Sequence, residues 1–237
     1  MKRLITLSLF VGALLISATP AFAQSESRDE VLKRIQSTRA ELKDLENRFM
    51  DPTAEDINAY REFLQQPDTG IMRLLPRETF DNGSLTTRGG GAYYSFTRRT
   101  HEYGLGTQIG LERDTLGVVF AGADYGMLAR LGDVPLDTVN FESGPVKFLA
   151  SYDPVSEEPQ ARSEYQKFAT GVKMDGVFYK THQPAIVNNT YVMRGIYYSD
   201  SDVLVAFRVV RKDLDDSIVV VWKLLRKYPK PVLARSN

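Results

Sequence analysis

Residues 190–225, TYVMRGIYYSDSDVLVAFRVVRKDLDDSIVVVWKLL, decide the fold of this chain. They contain three runs rich in β-branched and aromatic residues, 190–200, 202–212 and 217–225, separated by Ser-Asp and Asp-Leu-Asp-Asp turn sequences. In the middle run both alternating sets of side chains are mostly apolar, so both faces of that strand must be covered. The sequence therefore predicts an antiparallel three-stranded meander at the centre of the fold.

Shorter strand signals precede the meander. Asp175-Gly176, flanked by residues 172–174 and 177–179, is typical of a type I′ hairpin because both turn residues must adopt positive φ angles. Residues 146–152 are predicted as a strand, and residues 153–162, rich in Pro, Glu and Ser, as an exposed loop that could contain a helical turn. No helix long enough for a parallel crossover is expected between the strands, so the sheet should be antiparallel.

Two helices are predicted before the sheet, over residues 27–50 and 54–65. The first carries a stripe at alternating spacings of four and three residues, made of Val31, Ile35, Thr38, Leu42, Leu45 and Phe49. The preferred interpretation is that this stripe packs within its own domain, because Thr38 interrupts it and the second helix could form an antiparallel hairpin with it. The alternative is a short coiled coil that mediates self-association through residues 27–50.

These elements predict an α+β fold, mostly antiparallel β. A twisted antiparallel sheet should curl into a sandwich or an incomplete barrel, preceded by the two N-terminal helices. The predicted organisation is a signal peptide over residues 1–23, a helical segment over residues 24–66 and an antiparallel β domain over residues 67–237.

The N-terminal residues have the pattern of a secretory signal. A basic Lys2-Arg3 pair precedes an apolar run over residues 4–16, and an Ala-Phe-Ala cleavage signal ends at Ala23. We expect cleavage at this point and a soluble protein in the periplasm or outside the cell. No later apolar run approaches the length of a membrane span.

Composition excludes several classes of function. The chain has 30 basic and 30 acidic residues, and loss of Lys2 and Arg3 would leave it slightly acidic. This balance gives no electrostatic case for binding nucleic acid. The chain has no cysteine, which excludes disulfides, thiolate catalysis and cysteine-based metal sites.

Aromatic and cationic residues cluster between residues 93 and 103, in a pattern that could form a stacking surface for sugars or peptides. The alternative is a strand whose aromatic side chains pack inward while its arginines face water. The candidate ligand-binding residues are Tyr93, Tyr94, Arg98, His101, Tyr103 and Asp124.

No metal or cofactor is predicted. His101, His182 and Glu102 are the residue types of a two-histidine, one-carboxylate metal site, but their spacing does not bring them together. The glycines at 104, 106 and 110 fail the spacing of a dinucleotide-binding loop, and there is no phosphate-binding loop.

The leading functional hypothesis is an exported, non-catalytic binding or interaction domain with an unknown ligand or protein partner, because the chain has a secretion signal and no assembled catalytic motif. One alternative is a hydrolase of envelope polymers that uses a carboxylate pair, either Asp153 with Glu157 or Glu102 with Asp124. Another is a carrier that holds a small apolar ligand inside the curled sheet.

Overall fold

The computed structural model describes residues 26–81, 83–118 and 122–234. The predicted signal peptide, residues 1–23, lies outside the described residues. Contacts divide the chain into two units, with the boundary between Ala40 and Glu41, and the β-strands all belong to the second unit.

The described residues contain six α-helices. Their bounds are α1 Arg28–Met50, α2 Ala54–Ala59, α3 Arg61–Leu64, α4 Arg77–Phe80, α5 Gly144–Ser151 and α6 Glu158–Thr170. A 3₁₀ turn covers Leu136–Thr138. The single helix expected over residues 54–65 is thus divided into α2 and α3. A capping box precedes α2, since Thr53 accepts a hydrogen bond from the Asp56 amide and Asp56 accepts one from the Thr53 amide.

Twelve strands in the described ranges form two antiparallel sheets. Their bounds are β1 Thr69–Leu74, β2 Tyr93–Ser95, β3 Thr100–His101, β4 Ile109–Glu112, β5 Thr115–Gly117, β6 Tyr125–Gly132, β7 Val172–Met174, β8 Val177–Lys180, β9 His182–Pro184, β10 Thr190–Tyr197, β11 Ser201–Lys212 and β12 Ile218–Tyr228. The seven-stranded sheet has the order β1-β12-β11-β10-β6-β8-β7, and the five-stranded sheet has the order β3-β2-β4-β5-β9. These strands close no barrel, so the predicted single curling sheet is replaced by two sheets.

The predicted meander is confirmed as β10, β11 and β12, which pair antiparallel in sequence order. The side chains of β11 alternate between two cores. Val203, Val205 and Phe207 pack in one core with residues of both sheets, whereas Leu204 and Ala206 pack in a second core with residues of α5 and α6. Because each face of the strand meets an apolar layer, the two-sided hydrophobic pattern is explained.

The strand predicted over residues 146–152 is wrong, because this segment is helix α5. Pro145 lies in the first turn, where a missing backbone N–H is tolerated. Val146 and Leu149, three residues apart, are the buried side chains. A short apolar run of this kind does not distinguish strand from helix by its period, and tertiary packing decided the outcome.

Residues 153–162, predicted as an exposed loop that could contain a helical turn, begin α6 at Glu158, and this helix of 13 residues is longer than the turn that was predicted. Pro159 again lies in the first turn, and the buried side chains are Ala161 and Phe168, seven residues apart on one helix face. Helices α5 and α6 therefore lie between β6 and β7, where at most a helical turn was expected. The hairpin at Asp175-Gly176 is confirmed, with φ angles of 49° and 81°.

Helix α1 leaves its apolar stripe accessible. Leu42, Leu45 and Phe49 are 39%, 48% and 44% exposed, whereas the buried side chains of this helix are Glu46 and Met50. Glu46 accepts hydrogen bonds from the backbone amides of residues 86 and 87. The preferred interpretation, that the stripe packs within its own domain, therefore holds only in part: the Phe49 ring packs against the Phe80 ring, with centroids 5.6 Å apart, while all three side chains keep a large exposed fraction.

The helices of the described ranges are all too short or too polar to cross a membrane.

Candidate functional site

A groove of about 690 Å³ lies among residues from both sheets and is the candidate binding site. Four tyrosines contribute to it, so we call it the tyrosine groove. It is lined by Arg77, Tyr93, Tyr103, Gly104, Leu105, Thr107, Glu112, Gly122, Ala123, Asp124, Tyr197, Tyr198, Ser199 and Leu233. Its volume falls in the range typical of small-molecule sites, roughly 300–1,000 Å³.

Strand pairing brings the lining residues together. Tyr93 on β2 lies near Glu112 on β4 because these strands are neighbours in the five-stranded sheet. In the other sheet, Ile196 of β10 pairs with Tyr125 of β6, which places Asp124 beside the end of β10. The groove thus depends on contacts between segments far apart in sequence.

One part of the groove contains polar side chains that hydrogen-bond to one another. The Tyr93 hydroxyl donates to Glu112 Oε1 at 2.7 Å, and Arg77 Nη1 donates to the same oxygen at 3.2 Å. Arg77 Nε also donates to Asp81 Oδ2 at 3.3 Å. Burial, reinforced by the bond to Glu112, raises the pKa of Tyr93, so its hydroxyl remains a donor at neutral pH.

The Tyr93 and Tyr103 rings meet edge to face, with centroids 5.2 Å apart. The guanidinium carbon of Arg88 lies 4.4 Å from the centroid of the Tyr103 ring. Both rings pack against Gly89, whose φ is 80° and whose ideal Cβ would lie 2.7 Å from Tyr103 and 2.8 Å from Tyr93. A glycine is therefore required here for both conformation and space.

Asp124 is a partly buried carboxylate in the groove. Its Oδ1 accepts a hydrogen bond of 2.8 Å from the Tyr198 amide. No ion pair formed by the described residues includes Asp124, whereas the neighbouring Asp200 pairs with Arg98 at 3.2 Å. Burial, with a contribution from the charge of Asp200, raises the pKa of Asp124.

Hydrogen bonds to main-chain carbonyls orient the other two tyrosines. The Tyr197 hydroxyl donates to the Gln108 carbonyl at 2.8 Å, and the Tyr198 hydroxyl donates to the Val155 carbonyl at 2.5 Å. Their rings are therefore held in place before any ligand arrives.

The structure brings three of the six predicted candidates into the groove: Tyr93, Tyr103 and Asp124. Tyr94 and His101 line a separate cavity of about 270 Å³. Tyr93 and Tyr94 are consecutive in β2, and successive side chains of a strand point to opposite faces.

The last of the six candidates, Arg98, lines neither of these cavities. Its guanidinium bonds to Glu102 at 2.8 Å and to Asp200 at 3.2 Å. Arg98 therefore joins Glu102 and Asp200 in one network of ion pairs.

The two histidines lie far apart in strand order. His101 is on β3 and His182 is on β9, and these are the opposite edge strands of the five-stranded sheet. Within the described ranges, no three His, Asp or Glu side chains are grouped so that they could hold a metal ion.

The carboxylate pairs considered from the sequence are not assembled in the groove. Asp124 lines it, but Glu102 does not and is paired with Arg98. Asp153 lines a separate cavity of about 340 Å³, and Glu157 directly precedes α6, where its side chain makes no capping hydrogen bond.

Sequence reasoning missed Arg77, Glu112, Tyr197 and Tyr198. The adjacent tyrosines at the end of a strand were a usable signal, since a strand end often borders a site. The pairing of β2 with β4 and of β6 with β10 has no local signature.

Comparisons with protein-family models, curated proteins and solved structures find no match to this chain. Its functional assignment therefore rests on its own residues.

Proposed function

We propose that this protein is an exported, non-catalytic binding domain whose ligand occupies the tyrosine groove. The observation that carries the proposal is a groove of about 690 Å³ lined by four tyrosines, two of them held by main-chain hydrogen bonds. Tyrosine supplies a large apolar surface and a polar group at low conformational cost, which suits recognition. The signal pattern that ends at Ala23 supports export.

The packing of the interior favours a groove over an internal carrier cavity. Side chains such as Phe96, Leu111 and Phe207 form a buried apolar core with contributions from both sheets. A ligand inside this core would have to displace close-packed side chains. The surface groove requires no such rearrangement.

A hydrolase would need a second carboxylate that can exchange a proton beside Asp124. The other carboxylate lining the groove, Glu112, accepts hydrogen bonds from Arg77 and Tyr93. These bonds favour a structural role for Glu112. The raised pKa of Asp124 is the observation in favour of the enzyme, and turnover of a bound compound would establish it.

A fragment screen by protein-observed NMR tests the binding role. Compounds that bind in the groove should shift the amide signals of residues 103–107 and 122–124. Tyr103→Ala should weaken this binding, and Tyr165→Ala, a tyrosine of α6 outside the groove, should not. The proposal fails if bound compounds shift neither segment, or if they are turned over.

The exposed stripe of α1 favours self-association as a second role. Its five apolar members are between 39% and 48% exposed and keep the four-and-three spacing of a coiled-coil seam. The five are Val31, Ile35, Leu42, Leu45 and Phe49. An apolar stripe of this length gains from meeting a second copy of the same helix.

Leu42→Asp tests self-association. If the stripe joins two copies, this variant should dissociate an oligomer detected by light scattering and leave the melting of the β domain nearly unchanged. Gln36→Asp introduces the same charge outside the stripe and should leave assembly unchanged. A protein that is monomeric at all concentrations would contradict the proposal.

A further inference from the structure

Among the side chains that the structure describes, the tyrosine groove contains one carboxylate without a cationic partner. Asp124 accepts only the Tyr198 amide among the hydrogen bonds of the described residues, and no lysine or arginine among them pairs with it. The nearby Asp200 has its own cation in Arg98. An ionised Asp124 therefore gives this part of the groove a negative charge that no described cation balances.

The other charges that line the groove are matched. Arg77 and Glu112 bond to each other, and Tyr93 adds a second donor to the same carboxylate oxygen. A ligand would gain little from replacing these bonds, because any new contact would break an existing one. A ligand can therefore form an ion pair with Asp124 without breaking an existing hydrogen bond of the groove.

Tyrosines accompany this carboxylate in the groove. Tyr198 follows β10 and supplies the amide bonded to Asp124, and Tyr197 lies next to it. Aromatic rings attract organic cations through the negative potential of their faces. A carboxylate beside tyrosines is the chemistry that recognises an ammonium group on an apolar chain.

We propose that the ligand of the tyrosine groove carries an ammonium group, bound by Asp124, attached to an apolar chain that lies along Tyr103 and Tyr198, the two half-buried tyrosines of the lining. This inference rests on the proposed binding function and specifies the ligand class. The exposed Leu105 at the groove extends the apolar surface available to such a chain. Two sources share this chemistry: a free alkylamine and the side chain of a lysine in a peptide.

Pentylamine and hexanol are the first pair of probes. Hexanol has one carbon more than pentylamine, so it offers at least as much apolar surface, but only pentylamine is charged at neutral pH. NMR titration of the purified protein should show shifts at residues 103–107 and 122–124 with pentylamine and much weaker ones with hexanol. Nα-acetyl-lysine amide, compared with the same compound acetylated on its side chain, separates the peptide source from the free amine.

Asp124→Asn is the decisive variant, because asparagine keeps an oxygen that can accept the Tyr198 amide. It should weaken pentylamine binding by about tenfold to a hundredfold, the range expected for a hydrogen-bonded charge. Asp153→Asn, which removes a carboxylate outside the groove, should leave the affinity unchanged.

The outcomes separate the two proposals. Equal binding of pentylamine and hexanol, or an unchanged affinity in Asp124→Asn, would overturn the ammonium inference while groove binding itself stands. If no probe, charged or neutral, shifts the groove amides, the binding function is overturned together with the inference.

Discussion

Arg194 and Asp202 form a buried bidentate ion pair between neighbouring strands, with Nε 2.5 Å from Oδ1 and Nη2 2.8 Å from Oδ2. Their side chains are 1% and 2% exposed. Arg194 Nη1 also donates to the Leu149 carbonyl near the end of α5, and its guanidinium carbon lies 3.4 Å from the centroid of the Tyr228 ring. The pair thus connects β10, β11, β12 and the helical layer.

Arg194→Met should destabilise the protein by about 3–5 kcal/mol, because it leaves the Asp202 carboxylate buried without a partner. The double variant with Asp202→Leu should be less destabilised than the single one, since no buried charge remains. Urea denaturation of the parent and the three variants of this cycle measures both effects. Equal stability of the single and double variants would contradict the argument.

Trp222→Ala should destabilise the protein by about 3–5 kcal/mol through loss of buried area and creation of a cavity. Trp222 is 1% exposed and lies against Gly70 on the paired strand β1, where an ideal Cβ would be 2.3 Å from the indole. Trp222→Phe should cost less because it fills more of the space. A denaturant midpoint that Trp222→Ala leaves unchanged would exclude this packing role.

Acid should destabilise the protein partly through His101. Burial lowers the pKa of His101 from 6.5 to about 4, and its Nδ1 is buried without a hydrogen-bond partner in the described part of the chain. As pH falls, His101 takes up a proton in the unfolded state before it does so in the folded state. The contribution of the neutral, buried His101 to the free energy of unfolding is therefore complete above pH 6.5 and is lost towards pH 4. The loss should be on the order of 3 kcal/mol.

His101→Gln removes this titration and His182→Gln, at the exposed opposite edge of the sheet, serves as the control. Denaturation between pH 7 and pH 4 should show a smaller decline for His101→Gln than for the parent. The control should follow the parent. Parallel curves for all three proteins would show that His101 is accessible to protons in the folded state.

Asp124→Asn should stabilise the protein at neutral pH. Burial raises the pKa of Asp124, so the folded state favours its protonated form. The protonated Asp124 side chain therefore stabilises the folded state below the pKa that this group has in the unfolded chain. This stabilisation is lost as pH rises through its higher pKa in the folded protein. The melting temperature of Asp124→Asn should exceed that of the parent at pH 7, and the difference should shrink as pH falls towards 3. A lower melting temperature at pH 7 would contradict this.

Two glycine substitutions separate backbone strain from steric conflict in the groove. Gly83 and Gly89 have φ angles of 84° and 80°, but an ideal Cβ meets nothing within 4 Å at Gly83 and two tyrosine rings at Gly89. Gly83→Ala should cost about 1–2 kcal/mol from the positive φ alone. Gly89→Ala should cost roughly 1–3 kcal/mol more from overpacking. Thermal denaturation of both variants measures the difference, and equal losses would show that the rings can move.

The meander and the Asp175-Gly176 hairpin could be predicted from sequence because their signals are local. Alternating apolar residues along β11 require cover on both faces, and an Asp-Gly pair tolerates positive φ angles. Helices α5 and α6 were missed because their sequences carry no comparable local signal. Each is short and begins with proline in its first turn, and each is stabilised by a few side chains buried against the sheet.

The sequence by itself determined that residues 190–225 form the centre of an antiparallel sheet, and that residues 93–103 carry aromatic and charged groups suited to recognition. Only the tertiary structure decided which of those groups share a groove. Tyr93 and Tyr94 are adjacent in sequence and line different cavities, whereas Asp124 and Tyr198 are 74 residues apart and hydrogen-bonded. The physical reason is that strand alternation separates neighbours in the chain, while the pairing of β6 with β10 joins distant segments through hydrogen bonds that have no local signature.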